Sequence, residues 1–504
     1  MSLGRALAVG LVGLSAEIVE VEAHLGKGVP ALFLVGLPDA ALGEARERVR
    51  GALEACGLEL PKQRTVVNLS PADLRKNGSG FDLAIAVALM CAENADGAWR
   101  ARRAVHIGEL GLDGRVRPVR GVLPMVVAAV AAGHRDVVVS AANEREAALV
   151  PGAHVHAIEH LSEILRVYGV EVGEGIEWEP LALPDQLGST ESTEDLADVI
   201  GQPEARRALE VAAAGGHHLL MMGPPGAGKT MLARRLPTLL PDLSDPDAVQ
   251  VTSIHSIAGR FAPDGGLIRR PPFEAPHHTA SRAAIVGGGS GVPMPGSVSI
   301  AHRGVLFLDE APEFPAAVLE TLRQPLEGGE IHLHRATASA RYPARFQMIL
   351  AANPCPCGGA KCRCAPMDVR RYRTKLSGPL VDRVDIRIHV PRVTRAMRAL
   401  DERHEGSIAV AARVAEARAR AAARFAELPW SVNGDAPGSW LRRALVGEVR
   451  APLERAVDEG RLSMRGVDRV LRVAWSIADL RGDDALTIGA VGEALSLRGG
   501  EGDA

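Results

Sequence analysis

The chain has 504 residues and a mass of 53.1 kDa, enough for about three domains at roughly 100–200 residues each. Apolar residues make up 47% and charged residues 24%, and 58 basic against 61 acidic side chains leave a net charge of −3. That globular composition excludes a uniformly basic nucleic-acid coat, and 3% aromatic residues argue against reading single strands mainly by base stacking.

In chain order, Arg5 followed by Ala6–Leu14 imitates a signal peptide only in outline. The alternation from Ile18 to Glu22 reads instead as a strand. Residues 1–170 alternate strand-like stretches (Leu32–Gly36, Thr65–Leu69, Val105–Ile107, Asp136–Ser140, His154–Ile158) with helical ones (Leu42–Cys56, Asp82–Cys91, Leu123–Ala132), an α/β or α+β pattern. Residues 171–194 are rich in Glu, Pro, Gly, Ser and Thr and read as a linker. A second unit, 195–390, opens with a helix (Pro203–Ala214) and a short strand (His218–Met222). The third, 391–504, is helical, and its stretch Ile408–Glu427 is a charged helix solvated on one side. The longest apolar run, Val122–Gly133, contains a proline and falls short of the roughly 20 residues a membrane span needs. Six cysteines in this length do not make a disulfide scaffold, so the expected compartment is the cytoplasm.

Gly223-Pro224-Pro225-Gly226-Ala227-Gly228-Lys229-Thr230 fits the P-loop pattern, between an apolar strand and the helical run Met231–Leu236. Glycines let backbone N–H groups curl around phosphates, and a helix N-terminus adds positive potential. Lys229 is expected to neutralise the β- and γ-phosphates and Thr230 to bind Mg²⁺. The protein has only six lysines against 52 arginines, so a lysine here stands out. Val305–Leu308 suits a strand buried on both faces, with Asp309 at its carboxyl end for the Mg²⁺ shell and Glu310 to polarise the attacking water. Together these imply ATP hydrolysis with ATP and Mg²⁺ as cofactors.

Cys355, Cys357, Cys362 and Cys364 can close a tetrahedral structural zinc site, although C-x-C is tighter than the usual C-x₂-C; reduced thiols or a redox pair are the alternative. His277 and His278 fit a metal, a catalytic role or packing, and with no third ligand an ordered loop or pore contact is preferred.

From Asp195 onward the chain resembles the AAA+ superfamily, in its magnesium-chelatase-like branch and within that the ComM/YifB family. The residues that carry this are Pro272–Thr279, Gly287–Gly289, Pro295-Gly296, Ala301–Gly304, Asn353–Gly358 and Leu376–Asp385. Val35–Asp39 and Asn77–Asp82 extend the match into the first unit, which resembles a Lon-protease-like α+β domain. The resemblance implies an α/β AAA+ P-loop core with a helical C-terminal lid. It implies that Asn353 is a polar sensor beside the γ-phosphate, where a turn residue is the plain alternative. It makes Arg383 an arginine finger acting on the neighbouring subunit, where a salt bridge to Asp382 or Asp385 is the alternative. It makes Arg465 the second sensor arginine on the lid. A finger in trans implies a ring, by resemblance a hexamer.

Segments 253–304 and 329–346 resemble insertions that face the pore of related motors, with Arg335, Arg341 and Arg345 as candidate DNA phosphate contacts or simply a solvated hairpin face. In the first unit, Gly80 falls at the protease nucleophile position with Ser79 one residue off, and no lysine occurs between Lys76 and Lys229. A Ser/Lys dyad is therefore not expected, and this unit reads as a scaffold for ring assembly or DNA contact. The implied function is a DNA branch-migration motor in natural transformation or general recombination, with branched or single-stranded DNA and a recombinase as partners. A magnesium chelatase motor subunit and an AAA+ protein-remodelling regulator are the rivals.

Overall fold

The computed structural model describes residues 3–499 except 37–38, 72–77, 95–97, 182–193, 290–292, 335–338, 359–361, 377, 396, 398–404 and 446. Arg335, Lys76, Asn77, Lys361, Ser377 and most of the expected linker lie outside the described residues.

The N-terminal sheet has seven strands in the order Ala31–Val35, Arg64–Ser70, Ser15–Gly26, Leu3–Val12, Val105–Ile107, Asp136–Ser140, His154–Ile158. It is mixed: Leu3–Val12 pairs antiparallel with Ser15–Gly26 and parallel with Val105–Ile107. The stretch with a signal-peptide outline is thus a central strand. The helix Asp82–Glu93 is buried along nearly its whole length and packs on the first two strands, which explains its apolar character without a period. Residues 171–181 are not a free tether. Gly173 N–H donates to Cys56 O at 2.9 Å, and Trp178 stacks on His160 at 4.6 Å between ring centres.

The second sheet has five strands, all parallel, in the order Phe273–Glu274, Val305–Leu308, Gln347–Ala352, Leu219–Met222, Ile386–His389. Alternate residues along a strand point to opposite faces, so a parallel sheet covered on both sides must be apolar throughout. Here Val305, Phe307, Ile349 and Ala351 enter one core, while Leu306, Leu308, Met348 and Leu350 enter the other. The first core is closed by the helix Pro203–Gly215 and by the C-terminal helices Ser407–Arg424, Met464–Arg481 and Ile488–Leu497. Burying Val and Leu side chains on both faces stabilises this sheet by about 1.5–3 kcal/mol per residue.

A buried polar network ties the C-terminal helices to the sheet. His217 Nδ1 lies 3.0 Å from Asp385 Oδ2, His217 Nε2 lies 2.7 Å from Ser476 Oγ, and Arg469 reaches Asp385 at 2.9 Å. Burial by itself would raise the Asp385 carboxyl. The His217 ring and the Arg469 charge outweigh it and hold the group well below its ordinary range.

The antiparallel hairpin Glu330–His334/Ser339–Pro343 precedes the Gln347–Ala352 strand. Its inner residues Ala340 and Tyr342 pack with Ile257 and with Leu11 and Leu14 at the turn of the first N-terminal hairpin. The two units also meet where Gly121 N–H donates to Ser256 Oγ at 3.0 Å and Ser256 Oγ–H donates to the buried Glu146 carboxylate.

Candidate nucleotide site

Three strand ends converge on the P-loop. Strand Leu219–Met222 runs into it, and its parallel neighbour Gln347–Ala352 ends at Asn353. The next strand out, Val305–Leu308, ends at Asp309. The loop takes a conformation only glycine adopts easily: Gly226 has φ 75° and Gly228 has φ 92°, the latter directly capping the helix Lys229–Arg235. Lys229 is 8% exposed, and its side chain folds back over the loop. Its Nζ donates to Gly223 O at 2.6 Å, Pro224 O at 3.1 Å and Asn353 Oδ1 at 3.1 Å. Burial lowers the ammonium's pKa from its ordinary value, with Asp309 and Glu310 acting against it.

Thr230 Oγ1–H donates to Asp309 Oδ2 at 2.7 Å. A hydroxyl and a carboxylate side by side are hard oxygen donors of the kind Mg²⁺ takes beside phosphates. Glu310 follows with φ 51°, a left-handed conformation that costs a non-glycine residue about 1–3 kcal/mol. His278 Nδ1 lies 3.6 Å from Glu310 Oε2, and the His278 ring lies tilted against His277 with 4.1 Å between ring centres. His277 Nδ1 lies 2.8 Å from Thr279 Oγ1, while His278 contacts the carboxylate of Glu310. This contact, and the bracing of the P-loop by Gln202, were not visible in the sequence. Gln202 Nε2 donates to Ala227 O at 2.6 Å and to Pro391 O at 3.2 Å. Its Oε1 is buried without a hydrogen-bond partner among the described residues, an acceptor left open beside the loop. Loop amides, a lysine, adjacent oxygen donors and an orphaned acceptor together fit a magnesium nucleotide.

The other expected site residues lie elsewhere. Arg383 pairs with neither Asp382 nor Asp385. Its guanidinium meets the Glu327 carboxylate and donates to Pro379 O at 2.6 Å. Arg465 is 85% exposed in its side chain and reaches Asp382 at 3.4 Å, on the Arg383 face rather than in the hydrogen bonds around Lys229. Burial lowers the Arg383 pKa, and the charges of Arg323, Arg469 and Arg465 push the same way. Arg341 is exposed on the outer hairpin face and pairs with Glu330, whose carboxylate also meets His332 at 2.6 Å. Arg345 lies past the hairpin, where its backbone N–H donates to His302 Nδ1 at 3.0 Å. The sulfur atoms of Cys355, Cys357, Cys362 and Cys364 all lie within 4.8 Å of one another. In the N-terminal unit, Ser79 Oγ–H donates to the Glu109 carboxylate, so its partner is an acid rather than a lysine.

The sheet order, the P-loop and the carboxylates at the next strand ends define a P-loop nucleoside-triphosphate-binding protein of the AAA+ kind. Residues 195–398 match the family described as magnesium chelatase, subunit ChlI. Residues 21–143 match subunit ChlI of Mg-chelatase, and residues 404–498 its ChlI C-terminal part. The chain is 51% identical to an uncharacterized protein of Mycobacterium tuberculosis over 99% of both chains. It is 39% identical to the competence protein ComM of Haemophilus influenzae, over 99% of this chain and 98% of that one. It is 40% identical to YifB of Escherichia coli, over 99% and 97% respectively. The chain belongs to the ComM/YifB family of magnesium-chelatase-like AAA+ proteins.

Proposed function

We propose that this protein is an ATP-hydrolysing, ring-forming DNA motor that promotes branch migration of recombination intermediates, in natural transformation or in general recombination. The observation that carries the motor half is the convergence of Lys229, Asn353, Thr230 and Asp309 at neighbouring strand ends. The DNA half is supported by likeness along the whole chain to a protein named for competence.

In this reading Lys229 and the loop amides from Gly223 to Gly228 bind the phosphates, and Thr230 and Asp309 would hold Mg²⁺, which when bound would supply positive charge beside the transferring phosphoryl group. Glu310 takes a proton from the attacking water, and Asn353 orients that water or the γ-phosphate. Arg383 and Arg465 share a face with Arg323 and Arg469, a crowd of like charges that suits an incoming anion. We read both arginines as serving the ATP of the next subunit in a ring, which the family likeness makes a hexamer. Arg341, Arg345 and Arg335 serve as pore contacts to DNA phosphates. The N-terminal unit is a Lon-protease-like scaffold without a catalytic dyad, the C-terminal helices form the lid, and the protein works in the cytoplasm beside a recombinase.

The test is ATPase activity with and without single-stranded, double-stranded and branched DNA, together with a labelled-junction assay. DNA-stimulated hydrolysis and junction movement that Lys229→Ala abolishes support the motor. Strand-exchange products that persist in Lys229→Ala refute it. The family descriptions favour a second reading, a chelatase-type motor subunit acting on a partner protein. ATPase activity indifferent to all three DNAs would move the assignment to that reading or to protein remodelling.

A further inference from the structure

Four cysteines follow Asn353 within eleven residues. Asn353, bonded to Lys229, is followed by Pro354 and then by Cys355, which is buried. Cys355 Sγ and Cys357 Sγ are 3.3 Å apart, and with Cys362 and Cys364 all four sulfurs fall within 4.8 Å of one another. All four cysteines are free rather than disulfide-bonded. Zinc held tetrahedrally by thiolates at about 2.3 Å places its sulfurs roughly 3.8 Å apart, a spacing that lies between the 3.3 Å of the Cys355–Cys357 pair and the 4.8 Å limit of the whole cluster.

The same loop lies against the P-loop. Gly358 has φ 60°, and a Cβ there would come within 2.7 Å of Pro225 Cγ. From the following helix, Pro366–Arg373, Arg373 Nε donates to Pro354 O at 3.5 Å, and the neighbouring Tyr372 is buried. Pro354 and Gly358, at the start of the segment that carries the sulfurs, are therefore held between that helix and the P-loop.

We propose that Cys355, Cys357, Cys362 and Cys364 bind one structural zinc ion, which fixes Asn353 and Gly358 against the P-loop and thereby supports nucleotide binding. The zinc site stands on the sulfur cage, and its effect on nucleotide rests on the ATP-binding reading above. Four thiols give up their protons to solvent as Zn²⁺ binds, so no redox partner is required. With four thiolates bound no coordination position stays open, which assigns the metal a structural rather than a catalytic part.

The experiment uses the full chain. Zinc is measured after purification, and cobalt is exchanged in to look for the thiolate-to-metal absorption of a tetrahedral four-sulfur site. Binding of a fluorescent ATP analogue is then compared in zinc-loaded protein, chelator-stripped protein, re-zinced protein and the Cys362→Ser/Cys364→Ser variant. We expect about one zinc per chain and the four-sulfur cobalt band. Stripping should weaken the analogue by about fivefold or more, and zinc should restore it in the wild type alone. Less than about half an equivalent of zinc with no cobalt band overturns the site. Equal affinity in loaded and stripped protein overturns the coupling. Should the double variant fail to fold, the strip-and-restore series on wild-type protein decides the coupling by itself. Lys229→Ala separates the two readings: it should keep its zinc while losing the analogue. Zinc-loaded wild type that binds no analogue would sink the ATP reading and leave the metal site standing.

Discussion

Lys229 Nζ donates to Asn353 Oδ1 over 3.1 Å, joining the P-loop to the end of the neighbouring parallel strand. The two residues have different jobs in the proposed cycle, so their removal should be told apart kinetically. Lys229→Ala removes the charge that meets the phosphates and should abolish measurable nucleotide binding. Asn353→Ala leaves that charge in place. It should lower kcat about 10- to 100-fold while KM for ATP changes little, because the lost dipole acts where charge develops. Steady-state ATPase assays check this, and a change in KM alone for Asn353→Ala would remove it from the sensor role.

Glu310 has a left-handed backbone, and its carboxylate lies 3.6 Å from His278. Glu310→Gln should bind ATP normally and hydrolyse it about 10²–10⁴-fold more slowly, the range expected for losing a general base. His278 touches that carboxylate without belonging to the P-loop and acts as a positioning residue. His278→Ala should therefore reduce kcat several-fold at unchanged ATP affinity, and His278→Ala added to Glu310→Gln should cost nothing further. Additive losses in that double-mutant cycle would place His278 in a separate task.

Arg383 and Arg465 sit on one face with Arg323, held by Glu327 and Asp382. If both serve the neighbouring subunit, Arg383→Ala should lose ATP hydrolysis by about 10³-fold or more while still binding nucleotide. Mixing Arg383→Ala with Lys229→Ala should then regain activity, because a mixed ring contains interfaces with an intact P-loop facing an intact arginine. Mixing that stays inactive under conditions where rings exchange subunits would place Arg383 in its own subunit's chemistry.

Local runs were the legible part of this fold. Val105–Ile107, Asp136–Ser140 and His154–Ile158 are short apolar or β-branched stretches between breakers, and the strands fall at those residues. Leu3–Val12 was hidden because a strand with neighbours on both sides shows little polar alternation, and its apolar run imitates a leader. The site divides along the same line. Gly223–Thr230 and Val305–Glu310 are contiguous motifs whose chemistry is written in adjacent residues. The contact of His278 with Glu310, the bracing of Ala227 by Gln202 and the pairing of Arg383 with Glu327 join segments distant in the chain. No local spacing encodes such contacts. Arg383 shows the cost, since the acids beside it in sequence, Asp382 and Asp385, are taken by Arg465 and by Arg469 with His217.

Two buried histidines should set the acid limit of the AAA+ unit. His218 Nδ1 accepts the Met348 N–H at 3.0 Å, and His302 Nδ1 accepts the Arg345 N–H at 3.0 Å, so each ring must stay unprotonated at that nitrogen. Burial pushes His218 down from 6.5 to about 4 and His302 from 6.5 to about 3, the latter with help from the charges of Arg303 and Arg345. The folded-state values are depressed, so as pH falls below 6.5 the unfolded chain takes up these protons first. Stability is then fully present above pH 6.5 and declines through the window down to about 4 for His218 and about 3 for His302. By pH 5 each group should have cost roughly 2 kcal/mol. Asn at either position offers an acceptor that does not titrate. His218→Asn and His302→Asn should therefore flatten the fall in urea midpoint between pH 7 and pH 5, whatever they cost at pH 7. A variant that loses stability on acidification as steeply as the wild type would show that its histidine is protonated in the folded protein, and the Nδ1 hydrogen bond would have to be reassigned.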